Sequence, residues 1–225
     1  MNNPLISNLS ELITVERWQL MNKIINKRTK YLTVVLEDIY QPHNASAVLR
    51  TCDCFGVQDV HIIENQNEYR VNPDVALGAS KWLNLQKYNE EKNNTIACIN
   101  SLKKDGYRIV ATTPHTNDVA LDNFDLEKRK IALLFGSEQP GLSNLAMDHA
   151  DEFLKIPMQG FTESFNISVS ASIILHHLRL KLDQSGIKWM LKEKEKEEIL
   201  LNWLKQSIKR SDIIEKEFLK RHNSI

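Results

Sequence analysis

The sequence predicts an α/β protein, a parallel sheet covered by helices on both faces. Three observations carry this. Apolar, often β-branched runs of strand length stand at 32–36, 60–63, 108–112, 131–135 and 153–156. Between them lie stretches whose apolar residues recur at helical spacing. Strands that alternate with helices build parallel sheets buried on both sides.

Taken in order, residues 9–29 read as an amphipathic helix, with Thr14 suited to cap it and Val15, Trp18, Met21 and Ile25 near helical spacing. Leu32–Leu36 is a buried strand. Pro42 and Asn44 open a helix that closes at Gly56, and Val60–Ile63 is the next strand. A loop-rich piece passes Asn72-Pro73 and Gly78. A helix over Thr95–Lys104 ends near Gly106, followed by strands Arg108–Thr112 and Ile131–Phe135. Leu142–His149 is a short helix and Phe153–Ile156 a short strand stopped by Pro157. Asn166–Asp183 is a strongly apolar helix, expected to be buried nearly all round. Residues 189–221 form one long helix or two, with Leu200, Trp203, Leu204 and Ile208 as the apolar stripe.

Composition excludes several classes. At 225 residues with 42% hydrophobic and 26% charged, the chain suits a globular domain with appendages. No apolar run is long enough to span a bilayer, and Met1-Asn2-Asn3-Pro4 does not begin a secretory signal. Three cysteines, with Cys52 and Cys54 two apart, suggest neither a disulfide framework nor a zinc site, and fit a reducing cytoplasm. His43 and His61 lack ligand spacing and read as structural or solvated, so no metal is expected. Net charge is zero but unevenly spread. Residues 1–30 carry five Lys/Arg against two Asp/Glu, and residues 176–225 carry twelve against eight. The middle is acidic. If the chain binds RNA, its ends supply much of the phosphate attraction.

Three stretches break from an apolar run into a turn and then a helix, the places where ligands bind an α/β sheet. In the first, Ala45, Val48, Cys52 and Phe55 form one stripe facing the core. Asn44 suits the N-cap, and Arg50 lies on another face, about 9 Å along the axis. The plain alternative is an Arg50–Asp53 surface pair with Asn44 only capping. In the second, Gly136 follows the strand 131–135 and allows close backbone approach, with Glu138 on a short loop stiffened by Pro140. An ordinary turn with a solvated glutamate is the alternative. In the third, Ser164 and Asn166 stand at a helix mouth whose free N–H groups could hold an anion, or Asn166 simply caps.

Together, Asn44-x5-Arg50-Thr51, then Phe135-Gly136-x-Glu138-x-x-Gly141-Leu-Ser143, then Ile156-Pro-Met-x-Gly160-x-x-x-Ser164-x-Asn166-x-Ser-Val-Ser, resemble the motif set of the SpoU/TrmH class of SPOUT methyltransferases. The resemblance covers about 32–182 and extends to Ala76-Leu-Gly-Ala-Ser-Lys-Trp82. Leu12–Trp18 and Leu36–Asn44 are similar to the branch acting on tRNA guanosine 18. Phe165 departs from the leucine common there and enlarges a wall of the pocket.

That class implies a SPOUT sheet with a C-terminal trefoil knot over 31–185, flanked by helical extensions at 1–30 and 186–225. It implies S-adenosyl-L-methionine, held by Thr112, Gly136, Ile156 and Phe165, mainly through backbone groups. It implies a homodimer and catalytic roles for Arg50, Asn44, Glu138, Ser164 and Asn166. Arginine keeps its proton and is a poor general base, so Arg50 is expected to clamp phosphate and stabilise a developing alkoxide. Basic helices at both ends favour tRNA, with guanosine 18 as the expected target. The alternatives are ribosomal RNA, another tRNA position, or a non-catalytic RNA-binding relative.

Overall fold

The computed structural model describes residues 3–70, 72–114 and 119–222. The chain divides into two compact units. One spans Thr29–Trp189; the other joins Met1–Arg28 with Met190–Ile225.

The N-terminal segment forms two helices rather than the one expected over 9–29: α1 (Pro4–Ser10) and α2 (Val15–Ile25). Each has its own cap. Asn3 accepts from the Leu5 N–H at 3.0 Å, and Thr14 from the Arg17 N–H at 3.2 Å. Thr14 has extended backbone (φ −69°, ψ 152°), which a helix interior does not allow. Leu9 therefore belongs to α1 and is buried, while Val15, assigned to the apolar stripe, is exposed.

In the larger unit the strands are β1 (Leu32–Glu37), β2 (Asp59–Ile63), β3 (Asn84–Tyr88), β4 (Tyr107–Thr112), β5 (Val119–Ala120), β6 (Lys130–Phe135) and β7 (Glu152–Lys155). Among the described residues they form one sheet in the order β3-β2-β1-β6-β4-β7-β5, with every pairing parallel. The helices are α3 (Pro42–Cys54), α4 (Pro73–Ala76), α5 (Asn94–Lys104), α6 (Asn144–Asp148) and α7 (Ile167–Gln184).

The pleat sorts side chains to two cores. Val34, Leu36, Leu133 and Phe135 join Val48, Cys52, Ala171, Ile174 and Leu178 from α3 and α7. Val35, Ala132 and Leu134 join Cys98, Ile99 and Leu102 of α5 and Ala146 of α6. Of the expected stripe, Ala45, Val48 and Cys52 are buried, and Phe55 is half-buried against the same core. Burial of α7 is one-sided rather than nearly complete. Ile167, Ala171, Ile174, Leu175, Leu178 and Leu182 are buried, but Val169 and Leu180 are 42% and 51% exposed. Strands β3 and β5 lie in stretches to which the sequence pattern assigns no strand. The first carries polar residues at most positions, and the second has only two residues.

The C-terminal segment forms two helices, α8 (Glu193–Ser207) and α9 (Ser211–His222). Extended backbone at Ile208 and a positive φ of 57° at Arg210 separate them. Within this unit α1 and α2 pack on α8, which buries Ile199, Leu200, Trp203 and Leu204. The Arg28 guanidinium lies over the Trp203 ring at 5.3 Å. No helix among the described residues is long and apolar enough to cross a membrane.

Candidate active site

A cleft of about 440 Å³ opens where three neighbouring strands end. It is lined by Thr112–Pro114 after β4, by 135–142 after β6, and by Leu154, Ile156 and Met158 at the end of β7. Parallel strands send their carboxyl ends to one edge of the sheet, and the cleft lies at that edge, where such sheets bind ligands. The loop before α7 closes it with Glu163, Ser164 and Phe165, and Ile167 and Ile174 form part of its floor.

All four residues expected to hold a cofactor, Thr112, Gly136, Ile156 and Phe165, line this cleft, together with Glu138 and Ser164. The Thr112 hydroxyl donates to the Leu134 carbonyl at 2.8 Å, so its side chain is already engaged. Gly136 has a further reason to be glycine, one internal to the fold. A Cβ there would overlap the backbone of Gly141 and Leu142, so the glycine lets the loop fold back onto its own start. Gly141 holds the return of the loop with φ of +89°.

Asn44, Glu138 and Asn166 come together from α3, the loop after β6 and the mouth of α7. Asn166 caps α7, its Oδ1 accepting from the Ser168 N–H at 2.9 Å and from the Ser168 hydroxyl at 2.7 Å. Its oxygen is thereby committed, and its amide nitrogen donates to Asn44 Oδ1 at 3.1 Å. Asn44 in turn donates from Nδ2 to Glu138 Oε1, and reaches Gln41 Oε1 at 3.3 Å. The cap fixes the orientation of both amides. The result is a one-way relay of donors, Asn166 to Asn44 to Glu138, ending on a carboxylate.

Asn44 is not the N-cap of α3. The cap is Gln41, which makes no side-chain capping bond, and Pro42 takes the first helical position. Asn44 lies within the first turn, 7% exposed, which frees its side chain for the relay. Arg50 stands apart. It is exposed on α3, and among the described residues it forms neither the Asp53 pair nor a bond to Asn44, Glu138 or Ser164. Below the relay, Thr51 Oγ1 and Ser172 Oγ meet at 3.1 Å and tie α3 to α7.

The sequence reading missed Glu37. At the end of β1 it is 2% exposed and accepts from Thr95 Oγ1 at 2.6 Å, from Ser143 Oγ at 2.8 Å and from the Ser143 N–H at 2.8 Å. A carboxylate closing an otherwise apolar strand was the available signal. His61 is buried against the Tyr88 hydroxyl at 3.2 Å, and burial lowers its pKa below the usual imidazole value. His43 is exposed near Asn72. Among the described residues no three His, Cys, Asp or Glu side chains are grouped to hold a metal ion.

The pattern of the SpoU rRNA methylase family matches residues 31–176. A tRNA (guanosine(18)-2'-O)-methyltransferase of Borreliella burgdorferi is 45% identical over 207 residues, covering 92% of this chain and 93% of the relative. One of Thermus thermophilus is 30% identical, covering 86% of this chain and 98% of its own. The crystal structure of an A. aeolicus TrmH/SpoU tRNA modifying enzyme superposes with a TM-score of 0.76 at 28% identity, covering 86% of this chain and 97% of that one. With a family match over most of its length and a relative 45% identical across nearly the whole chain, this chain belongs to the SpoU methylase family.

Proposed function

We propose that the chain transfers a methyl group from S-adenosyl-L-methionine to the 2'-hydroxyl of guanosine 18 in tRNA. The observation that carries this reading is the donor relay Asn166–Asn44–Glu138, which joins three separated motifs at the rim of the cleft. Relatives that share most of this chain's length are named for that reaction.

The cleft suits the cofactor. Its volume falls in the range of small-molecule sites, it lies at three strand ends, and Leu142, Ile156 and Phe165 supply apolar walls. When bound, S-adenosyl-L-methionine supplies a methyl group already activated on a sulfonium. Thr112, Gly136 and Ile156 would hold it largely through main-chain groups, since the Thr112 hydroxyl is occupied. Phe165, 41% exposed, has surface left to cover an apolar part of the ligand.

The chain's own task is then placement. Glu138 and Asn44 orient the ribose, and Ser164 and Asn166 position the two ends of the site. Arg50 clamps the RNA phosphate and stabilises the alkoxide as it forms, with its proton passing to phosphate or water. Exposed and away from the relay within one chain, Arg50 fits a homodimer in which each site draws on both copies. The apolar surface left open on α7 by Val169 and Leu180 supports such a partner. The path through β7 and α7 is read as the trefoil knot of this class, and the basic excess of both chain ends as an attraction for tRNA in the cytoplasm.

The test is transfer from labelled S-adenosylmethionine to unmodified tRNA transcripts and to ribosomal RNA, with the product nucleotide mapped. Label as 2'-O-methylguanosine at position 18 is expected, and Arg50→Ala should bind the cofactor but lose transfer. Label only in ribosomal RNA would overturn the substrate, and no label in either would overturn the activity.

A further inference from the structure

We propose that Glu37 is a positioning residue for the cofactor cleft, acting through Ser143. This rests on the cofactor reading above. The loop 136–142 forms one wall of the cleft and carries Glu138. One end of it is fixed by β6. The other is fixed at Ser143, whose N–H and hydroxyl both donate to Glu37, at 2.8 Å each. The same hydroxyl accepts from the Ala146 N–H at 3.1 Å and so caps α6, whose Asn144 and Met147 also line the cleft.

Glu37 is itself held. Thr95 at the start of α5 donates to it at 2.6 Å, and Asn65 donates to Thr95 at 2.9 Å. The carboxylate therefore meets three donors and lies buried, 2% exposed, with no cation among its bonded partners. An acceptor-only group is the right choice there, because every group facing it is a donor. An amide at the same position offers one acceptor oxygen in place of two, so at least one of these three donors loses its partner and the hold on the loop end weakens.

Glu64, just beyond β2, provides the control. It also receives three donors, from the Tyr69 N–H at 2.7 Å, Lys87 Nζ at 2.9 Å and Asn89 Nδ2 at 2.8 Å, and its side chain is 7% exposed. None of these partners lines the cleft. Both carboxylates stabilise the end of a strand, and only Glu37 holds a residue, Ser143, that stands between two cleft-lining neighbours, Leu142 and Asn144.

The experiment compares Glu37→Gln and Glu64→Gln in the full chain. It reads amide exchange at Ser143 without ligand, the dissociation constant for S-adenosylhomocysteine, and the two KM values. For Glu37→Gln we expect Ser143 exchange faster by about tenfold, cofactor affinity weaker by about tenfold, and the KM for tRNA unmoved, the scale of one mispaired buried donor. Glu64→Gln should lower the melting temperature and leave all three unchanged. Unchanged exchange and affinity in Glu37→Gln, or equal effects in Glu64→Gln, would overturn the proposal. If Glu37→Gln does not fold, Ser143→Ala serves in its place, and wild-type affinity in that variant would overturn the proposal too. Should the wild type bind no S-adenosylhomocysteine, the cofactor reading fails, while the exchange at Ser143 still decides whether Glu37 holds the loop.

Discussion

The mouths of α3 and α7 face each other across the relay, each with an asparagine, yet they are built in opposite ways. Asn166 caps its helix and spends its oxygen on backbone and hydroxyl donors. Asn44 sits inside the first turn of a helix whose cap residue, Gln41, makes no side-chain capping bond. One asparagine is anchored by its own helix and the other only by its neighbours. The difference sets the direction of the relay, because an anchored oxygen leaves a free amide and the free amide orients the next residue. Side-chain identity here is dictated by donor and acceptor count rather than by shape.

The largest effect should come from turning the relay against itself. Asn44→Asp puts a second carboxylate against Glu138 and removes its donor. A loss of roughly a hundredfold in kcat/KM is expected, since close like charges cost several kcal/mol. Near-normal kinetics in that variant would refute the relay. Asn166→Asp should separate the two jobs of the α7 mouth. Aspartate caps as well as asparagine, so the melting temperature should hold, while transfer falls about tenfold for the lost donor. Thermal denaturation alongside steady-state kinetics checks this, and a fall in stability with no change in rate would reverse the assignment. The smallest effect belongs to the uncapped helix. Gln41→Ser supplies the missing cap and should stabilise the chain by about 1 kcal/mol in urea denaturation. No gain would mean that the α3 mouth is already satisfied in another way.

Most of the sheet was legible because β1, β2, β4, β6 and β7 are apolar runs with sharp ends. Strand β3 was not. Its sequence, Asn84-Leu-Gln-Lys-Tyr88, sits at a sheet edge, where polar side chains are tolerated and hydrophobic pattern fades. The α3 cap was misread because a good cap residue, Asn44, outweighed Pro42, whose preference for the first helical position puts the boundary at Gln41. The cleft residues could be identified from motif resemblance. The role of Gly136 could not, since the backbone it makes room for lies five and six residues further on in a fold not yet known. Glu37 escaped for the same reason on a longer scale, with its partner Ser143 106 residues away.

Thr29 Oγ1 donates to the Trp189 carbonyl at 2.8 Å, so the first and last residues of the α/β unit are clasped together. In chain order that unit is an insertion, threaded into a helical unit whose two halves come from opposite termini. The clasp makes Thr29 and Trp189 the natural junctions for grafting, at which the helical unit of one relative could be exchanged for that of another without recutting the sheet.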